Sequence, residues 1–313
     1  MSATRRSFLA GMTLSATAAA ATTKSGAHPR FFVAALTPVS RQGQFDESIA
    51  RDLLAMLRHN GVDGIVVMGT TGEFSSFTVA ERRKILESMM RSKGTMDFFC
   101  HVGCTNLPDT LDLLSHAADS GVEAALVLPP FYYKNPRVDG LERFFTSVLD
   151  AAKVPVLLYH IPAVSGVPIT PDLLRRLSGH PRLHGLKDSS GNPETLMTFL
   201  KEFPKLKVFT GSPKLIATTL QNGGAGAITG NGNVIPAQTA AVFKAFRGGK
   251  DLAASQEHLN RAIGISGGDL PTMKFMLGQM GLNASYCRLP FLPLTAAEEA
   301  DARARVTKLK ELA

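Results

Sequence analysis

PVLLYHIPAVSGVPITPDLLRRLSGHPRLHGLKDSSG, residues 155–191, holds one full period of the chain. The run PVLLYHI (155–161) is apolar, reaches Tyr159 and His160 at its end, and enters a turn of proline, serine and glycine. None of the seven residues after Tyr159 carries a formal charge. The run LHGLKD (183–188) is again short and ends on Lys187 and Asp188. Short apolar runs bounded by turn residues read as buried strands, and the stretch between these two is long enough for a crossover that brings the chain back parallel to itself.

From residue 30 onward such runs occur eight times: FFVAAL (31–36), GIVVMG (64–69), DFFCHVG (97–103), AALVLPP (124–130), the two above, LKVFTG (206–211) and GAGAITG (224–230). Between them apolar residues recur at three- and four-residue spacing, as in Ile49, Leu53, Leu54 and Leu57, and again Ile85 and Met89, the pattern of a helix with one buried face. Eight such units with right-handed crossovers predict an α/β chain closed into a (β/α)8 TIM barrel over residues 30–249. Residues 250–313 carry helical patterns without strands and read as a C-terminal helical appendage rather than a second domain.

Residues 1–29 stand outside this rhythm. Arg5 and Arg6 precede Phe8-Leu9 and an alanine-rich run ending near Ala21, which resembles a twin-arginine export signal and implies a periplasmic protein; the alternative is a disordered extension on a cytoplasmic one. No stretch of 18 uncharged apolar residues follows, so no membrane-embedded body is expected. The formal charge of +8 comes from scattered lysines and arginines with no basic run, which argues against nucleic acid and suits an anionic small substrate. Three cysteines, Cys100, Cys104 and Cys287, supply neither a disulfide framework nor the further ligands of a zinc site and are expected as buried or half-buried thiols; no metal is expected.

In a barrel of this kind the reactive side chains lie at the C-terminal ends of the strands. The second run ends in MGTTGEFSS, where Gly69 and Gly72 bracket Thr70 and Thr71 so that amides and hydroxyls converge on a site for a carboxylate, or simply cap a helix. The sixth run ends on Lys187, which is expected to point into the barrel mouth, where partial desolvation makes a neutral amine available for Schiff-base formation. A structural ion pair with Asp188 is the competing reading, weakened because adjacent strand residues face opposite ways. Tyr159, Tyr132 and Tyr133 offer phenols that can move protons, or core aromatics that bond a carbonyl.

GTTGE, YHIP with SG, and GLKDSSG, in that order, resemble the class I pyruvate-dependent aldolase family that includes dihydrodipicolinate synthase and N-acetylneuraminate lyase. The spacings agree with that family: 88 residues from Thr71 to Tyr159 and 28 from Tyr159 to Lys187. The resemblance implies a Schiff base on Lys187 with a 2-oxo acid and no other cofactor. It further implies a pyruvyl carboxylate held by Thr70 and Thr71, proton transfer by Tyr159, and a pocket lined by the Ile228 carbonyl. Tyr133, rather than Tyr132, matches the tyrosine that the family inserts into a neighbouring subunit and links to Thr71, which implies a homotetramer.

Departures from the family pattern narrow the substrate. Dihydrodipicolinate synthase has an arginine where this chain has Val164, and sialic acid lyase has an acidic pair where this chain has Gly211-Ser212-Pro213-Lys214. Both activities are therefore disfavoured. The expectation is a lyase forming or cleaving a C–C bond between pyruvate and an aldehyde, on a 2-keto-3-deoxy sugar acid or 4-hydroxy-2-oxo acid. Ser189, Ser212 and Lys214 are candidates for its distal end, Lys214 otherwise being a solvated helix residue. The alternatives are dihydrodipicolinate synthase itself and a non-catalytic 2-oxo acid binding protein.

Overall fold

The computed structural model describes residues 28–312, so the twin-arginine segment lies outside the described residues. Eight parallel strands close into one barrel: β1 (Arg30–Ala34), β2 (Gly64–Val67), β3 (Asp97–His101), β4 (Ala124–Val127), β5 (Val156–His160), β6 (Leu183–Asp188), β7 (Lys207–Thr210) and β8 (Gly226–Thr229). Each strand pairs with its sequence neighbour and β8 pairs back onto β1, as in Phe32 opposite Ile228. The fold is the expected (β/α)8 TIM barrel followed by C-terminal helices. Several strands stop short of the sequence-based ends, because residues such as Met68 and Gly69 after β2 leave the ladder to build loops at the mouth.

The barrel is filled from within. Phe32 stacks on Phe99 at 4.3 Å between ring centroids, and Phe209 meets Phe32 edge-on at 5.8 Å, so three strands contribute one aromatic layer. Gly64 makes this layer possible, since a Cβ there would overlap the Phe32 ring. The outer helices bury the stripe that their periodicity predicts: Ala50, Leu53, Leu54 and Leu57 on the helix Glu47–His59, and Ile85, Leu86 and Met89 on Val79–Arg91. Ile49 is only half-buried, at the edge of its stripe. Thr78 and Glu81 start the latter helix with a reciprocal capping box.

After the helix Pro236–Arg247, the helices Ala253–Ser266, Leu270–Gln279 and Ala296–Leu312 pack on one another and on the barrel's flank. The segment joining the last two returns to the mouth, where Arg288 donates to the Gly43 carbonyl at 2.7 Å, the Ser76 carbonyl at 2.9 Å and both Glu81 oxygens at 3.1 and 2.6 Å. The guanidinium holds the Glu81 carboxyl down at about 2 from its usual 4.5.

Arg288→Ala removes all four bonds, and the expected loss is about 1–2 kcal/mol of stability because Glu81 is partly solvated, read as a lower guanidinium midpoint at pH 7. A depressed carboxyl stabilises above its unfolded pKa and loses that contribution as pH falls from 4.5 towards about 2. Between pH 5 and 3 the variant should therefore lose less than the wild type.

Candidate active site

Two strands decide the centre of the mouth. β5 and β6 pair Tyr159 with Lys187 and His160 with Asp188. Across the next ladder Lys187 pairs with Phe209, a member of the interior aromatic layer, so Lys187 and Tyr159 face inward. Both are almost fully buried, and the Lys187 Nζ stands 4.1 Å from the centroid of the Tyr159 ring. Asp188 and His160 face the helices instead: the His160 ring packs edge-on against Phe199 of the helix Pro193–Glu202. Asp188 Oδ1 accepts from the Ser190 N–H at 2.9 Å and lies 4.0 Å from His160 Nε2. Lys187 is thus not spent on Asp188, and it has no carboxylate partner among the described residues.

The Tyr159 hydroxyl meets Thr70 Oγ1 at 3.3 Å, which ties β5 to the turn after β2. In that turn the Gly72 N–H donates to the Gly69 carbonyl at 3.0 Å and the Glu73 N–H to the Thr70 carbonyl at 3.1 Å. No acceptor among the described residues takes the Thr70 or Thr71 N–H, so two amides and two hydroxyls form a small donor cluster beside the buried lysine. Gly230, just beyond β8, lets this cluster close on the barrel rim; a Cβ there would lie 2.9 Å from Thr71 Oγ1. Ile228 is fully buried on β8, on the same inward face as Phe32.

The remaining predicted residues are more scattered. Ser189 donates its N–H to the His160 carbonyl at 2.7 Å, and its side chain packs so closely on Gly211 that a Cβ there would overlap it. Ser212 donates its N–H to Thr210 Oγ1 at 3.1 Å, and Lys214 is solvent-exposed on the turn Pro213–Leu215. Tyr132 and Tyr133 pack edge-on at 5.2 Å and are 71% and 77% exposed, so within one chain neither is buried against Thr71. Val164 is 59% exposed on the short helix Pro162–Ser165.

One residue at the site was not singled out in the sequence. His101, the last residue of β3, shares the inward parity of Phe99, and its ring lies edge-on to Tyr159 at 6.1 Å between centroids. Its Nδ1 is 3.0 Å from the Met68 carbonyl, an acceptor, which identifies Nδ1 as the protonated nitrogen of the neutral ring. Burial, with the nearby Arg82 charge, pushes its pKa well below 6.5. The signal available was parity: a histidine two residues after an inward phenylalanine at a strand's C-terminal end. The cysteines are inert by comparison. Cys100 and Cys104 are buried and Cys287 half-buried, and burial pushes the thiols of Cys100 and Cys287 up to about 12.

A cleft of about 460 Å³ opens behind β5 and β6, lined by His160, Thr170, Ser190 and Phe199 among others. It is on the helix side of these strands, and neither Lys187 nor the threonines line it. Convergent donors around a buried amine, rather than volume, mark the candidate reactive centre. Among the described residues no cluster of three or more His, Cys, Asp or Glu is arranged to hold a metal ion.

A model of the dihydrodipicolinate synthetase family matches residues 27–309. The chain belongs to that family. It is 40% identical to an uncharacterized DapA-like lyase of Chloroflexus aurantiacus, over 90% of this chain and 98% of the relative. It is 30% identical to a 4-hydroxy-tetrahydrodipicolinate synthase of Methanothrix thermoacetophila, over 90% and 97%. Among solved structures it superposes on YagE, a prophage protein of the dihydrodipicolinic acid synthase family from E. coli K12 in complex with pyruvate. That match has a TM-score of 0.82 and 26% identity, covering 90% of this chain and 98% of YagE. Members of the dihydrodipicolinate synthetase family are pyruvate-dependent class I lyases, and this protein is an enzyme of that kind.

Because His101 is held neutral when folded and takes a proton below 6.5 when unfolded, stability should fall as pH drops below 6.5, by at most about 1.4 kcal/mol per pH unit for this residue. His160, also pushed down by burial, adds a slope of the same sign. Urea midpoints at pH 7.5 and 5.5 should differ less in His101→Gln than in the wild type; equal differences would show that His101 is not the titrating group.

Proposed function

We propose that this protein is a Schiff-base-forming lyase that cleaves or forms a C–C bond between pyruvate and an aldehyde, acting on a 2-keto-3-deoxy sugar acid or a 4-hydroxy-2-oxo acid. The observation that carries the chemistry is the buried Lys187, without a carboxylate partner among the described residues, against Tyr159, with the Tyr159 hydroxyl bonded to Thr70. The substrate class is supported by what the mouth lacks. An aliphatic Val164 and the carboxylate-free Gly211-Ser212-Pro213-Lys214 offer neither the arginine of the synthase nor the acidic pair of sialic acid lyase, and leave Lys214 as the cation for a distal carboxylate.

In this reading Thr70 and Thr71 hold the carboxylate of the 2-oxo acid, and the Lys187 amine attacks its C2 carbonyl. The C2 oxygen leaves as water and a protonated imine remains; Tyr159 carries the protons between amine, carbinolamine and water. For cleavage, the C4 hydroxyl gives its proton to the Tyr159 oxygen and the C3–C4 bond breaks. Its electron pair passes into the iminium to give an enamine, and the aldehyde departs. Protonation of C3 and hydrolysis of the imine release pyruvate and restore the amine; synthesis runs the same steps backwards. Tyr133, exposed in a single chain, is assigned to a neighbouring subunit's Thr71 in a homotetramer, with Ile228, Ser189, Ser212 and Lys214 towards the substrate's flank and distal end.

Pyruvate and borohydride should leave a covalent adduct on Lys187, absent in Lys187→Ala, while Tyr159→Phe lowers turnover by about 10²–10⁴-fold. A folded protein with Lys187 unmodified would overturn the mechanism and favour a non-catalytic 2-oxo acid binder. Pyruvate release from a panel of 2-keto-3-deoxy sugar acids and 4-hydroxy-2-oxoglutarate tests the substrate class. Turnover confined to aspartate semialdehyde plus pyruvate would favour the synthase reading, which the curated relatives at about 30% identity also suggest.

The paired Arg5 and Arg6 support a periplasmic location. Fractionation of a tagged full-length chain should place it in the periplasm, and Arg5→Lys/Arg6→Lys should retain it in the cytoplasm; a cytoplasmic wild type would overturn this.

A further inference from the structure

Directly behind the Thr70–Thr71 cluster stands an ion pair with no access to water. Glu73 is 2% exposed and Lys274 fully buried, with Nζ and Oε1 2.5 Å apart. The Lys274 ammonium also donates to the carbonyls of Thr37 and Tyr286, each at 2.7 Å. The second Glu73 oxygen accepts from the Arg288 N–H at 2.8 Å. Three parts of the chain distant in sequence meet on this carboxylate and its lysine: the loop after β1, the helix Leu270–Gln279, and the segment that carries Tyr286 and Arg288.

A pair this deep is not explained by stability, because well-packed apolar residues commonly do as well where two charges must be taken out of water. Its position suggests geometry instead. Met68 and Glu73 have φ of 57° and 56°, a left-handed conformation that non-glycine residues keep only where their surroundings impose it, and the two bracket Thr70 and Thr71. The Met68 end is held by His101 at its carbonyl, and Thr37 Oγ1 donates to the Gly72 carbonyl at 2.9 Å. Lys274 and the Arg288 N–H hold the Glu73 end. The turn that carries the Thr70 and Thr71 amides is therefore held from both ends and at Gly72.

We propose that Glu73 and Lys274 are positioning residues for the reaction: their buried pair fixes the Thr70–Thr71 turn in the orientation that receives the substrate's carboxylate, and so makes affinity for 2-oxo acids depend on the C-terminal helices. This rests on the assignment of Thr70 and Thr71 to that carboxylate.

The test compares two ketones that condense with Lys187: pyruvate, and hydroxyacetone, which has no carboxylate. In the full-length protein, the concentration giving half-maximal borohydride trapping is measured for each, with melting temperature alongside. Lys274→Met leaves a buried carboxylate unpaired and is prone to misfold. The double variant Glu73→Gln/Lys274→Met replaces the pair with a neutral one of similar volume and carries the test. It should need at least tenfold more pyruvate but remain within about twofold of wild type for hydroxyacetone. Equal weakening for both ketones would reduce the pair to a structural role, and unchanged pyruvate trapping would remove its role altogether; either overturns the proposal. If the wild type traps hydroxyacetone but shows no preference for pyruvate, the carboxylate assignment fails; if it traps neither, the Schiff-base reading itself fails.

Discussion

The register of β5 against β6 is the constraint on which the site depends. Side chains alternate along a strand, so a one-residue slip of β6 would put Asp188 opposite Tyr159 in place of Lys187 and an unprotected carboxylate in the barrel. The ladder is not uniform. Val156 pairs with Leu183 and Leu157 with Gly185, so β6 carries an extra residue, His184, which is exposed while its neighbours are buried. A bulge of this kind re-aims the side chains beyond it. Upstream of it Leu183 is buried in register with Val156; downstream, Gly185 and Lys187 share the face of Leu157 and Tyr159.

The C-terminal helices, which in the sequence look like an addition to a finished barrel, reach the site through buried polar contacts. Arg288 fastens the return segment to the helix cap at Glu81 and to the loops at Gly43 and Ser76, while Lys274 reaches the other side of the same mouth. Barrel closure alone fixes where β2 ends; it does not fix the path of a turn containing two left-handed non-glycine residues. That path is set by groups from β3, from the loop after β1 and from beyond the barrel. The mouth is thus a joint product of the barrel and the helices that follow it.

What was legible in the sequence follows from the range of the interactions involved. Strand runs, helix stripes and the inward parity of Lys187 are local, and two-residue and 3.6-residue periods report them directly. The Gly-Thr-Thr-Gly turn was readable because its donors are contiguous. The ends of the strands are less legible, since an apolar residue such as Met68 looks the same in a ladder as in the turn that leaves it. The Glu73–Lys274 pair had no local signal: a glutamate in a polar turn and a lysine in the helical pattern LPTMKFMLGQ each look solvated until the fold joins them. His101 fell between the two cases, its parity legible but its partner, a main-chain carbonyl of the neighbouring turn, invisible to any reading of side chains.

These placements together determine the charge that a substrate meets. Asp188 adjoins Lys187 in sequence but is turned outward by strand alternation, and Glu73 follows the threonines but is neutralised by Lys274. Asp188 and Glu73 are thereby kept from opposing an anion at the mouth, while Lys187 remains without a counter-ion among the described residues and the Thr70 and Thr71 amides without acceptors. In a water-poor barrel end such donors attract a carboxylate far more strongly than they would in bulk solvent. A neutral aldehyde has no comparable attraction there, so under the proposed mechanism the 2-oxo acid is the partner expected to bind first.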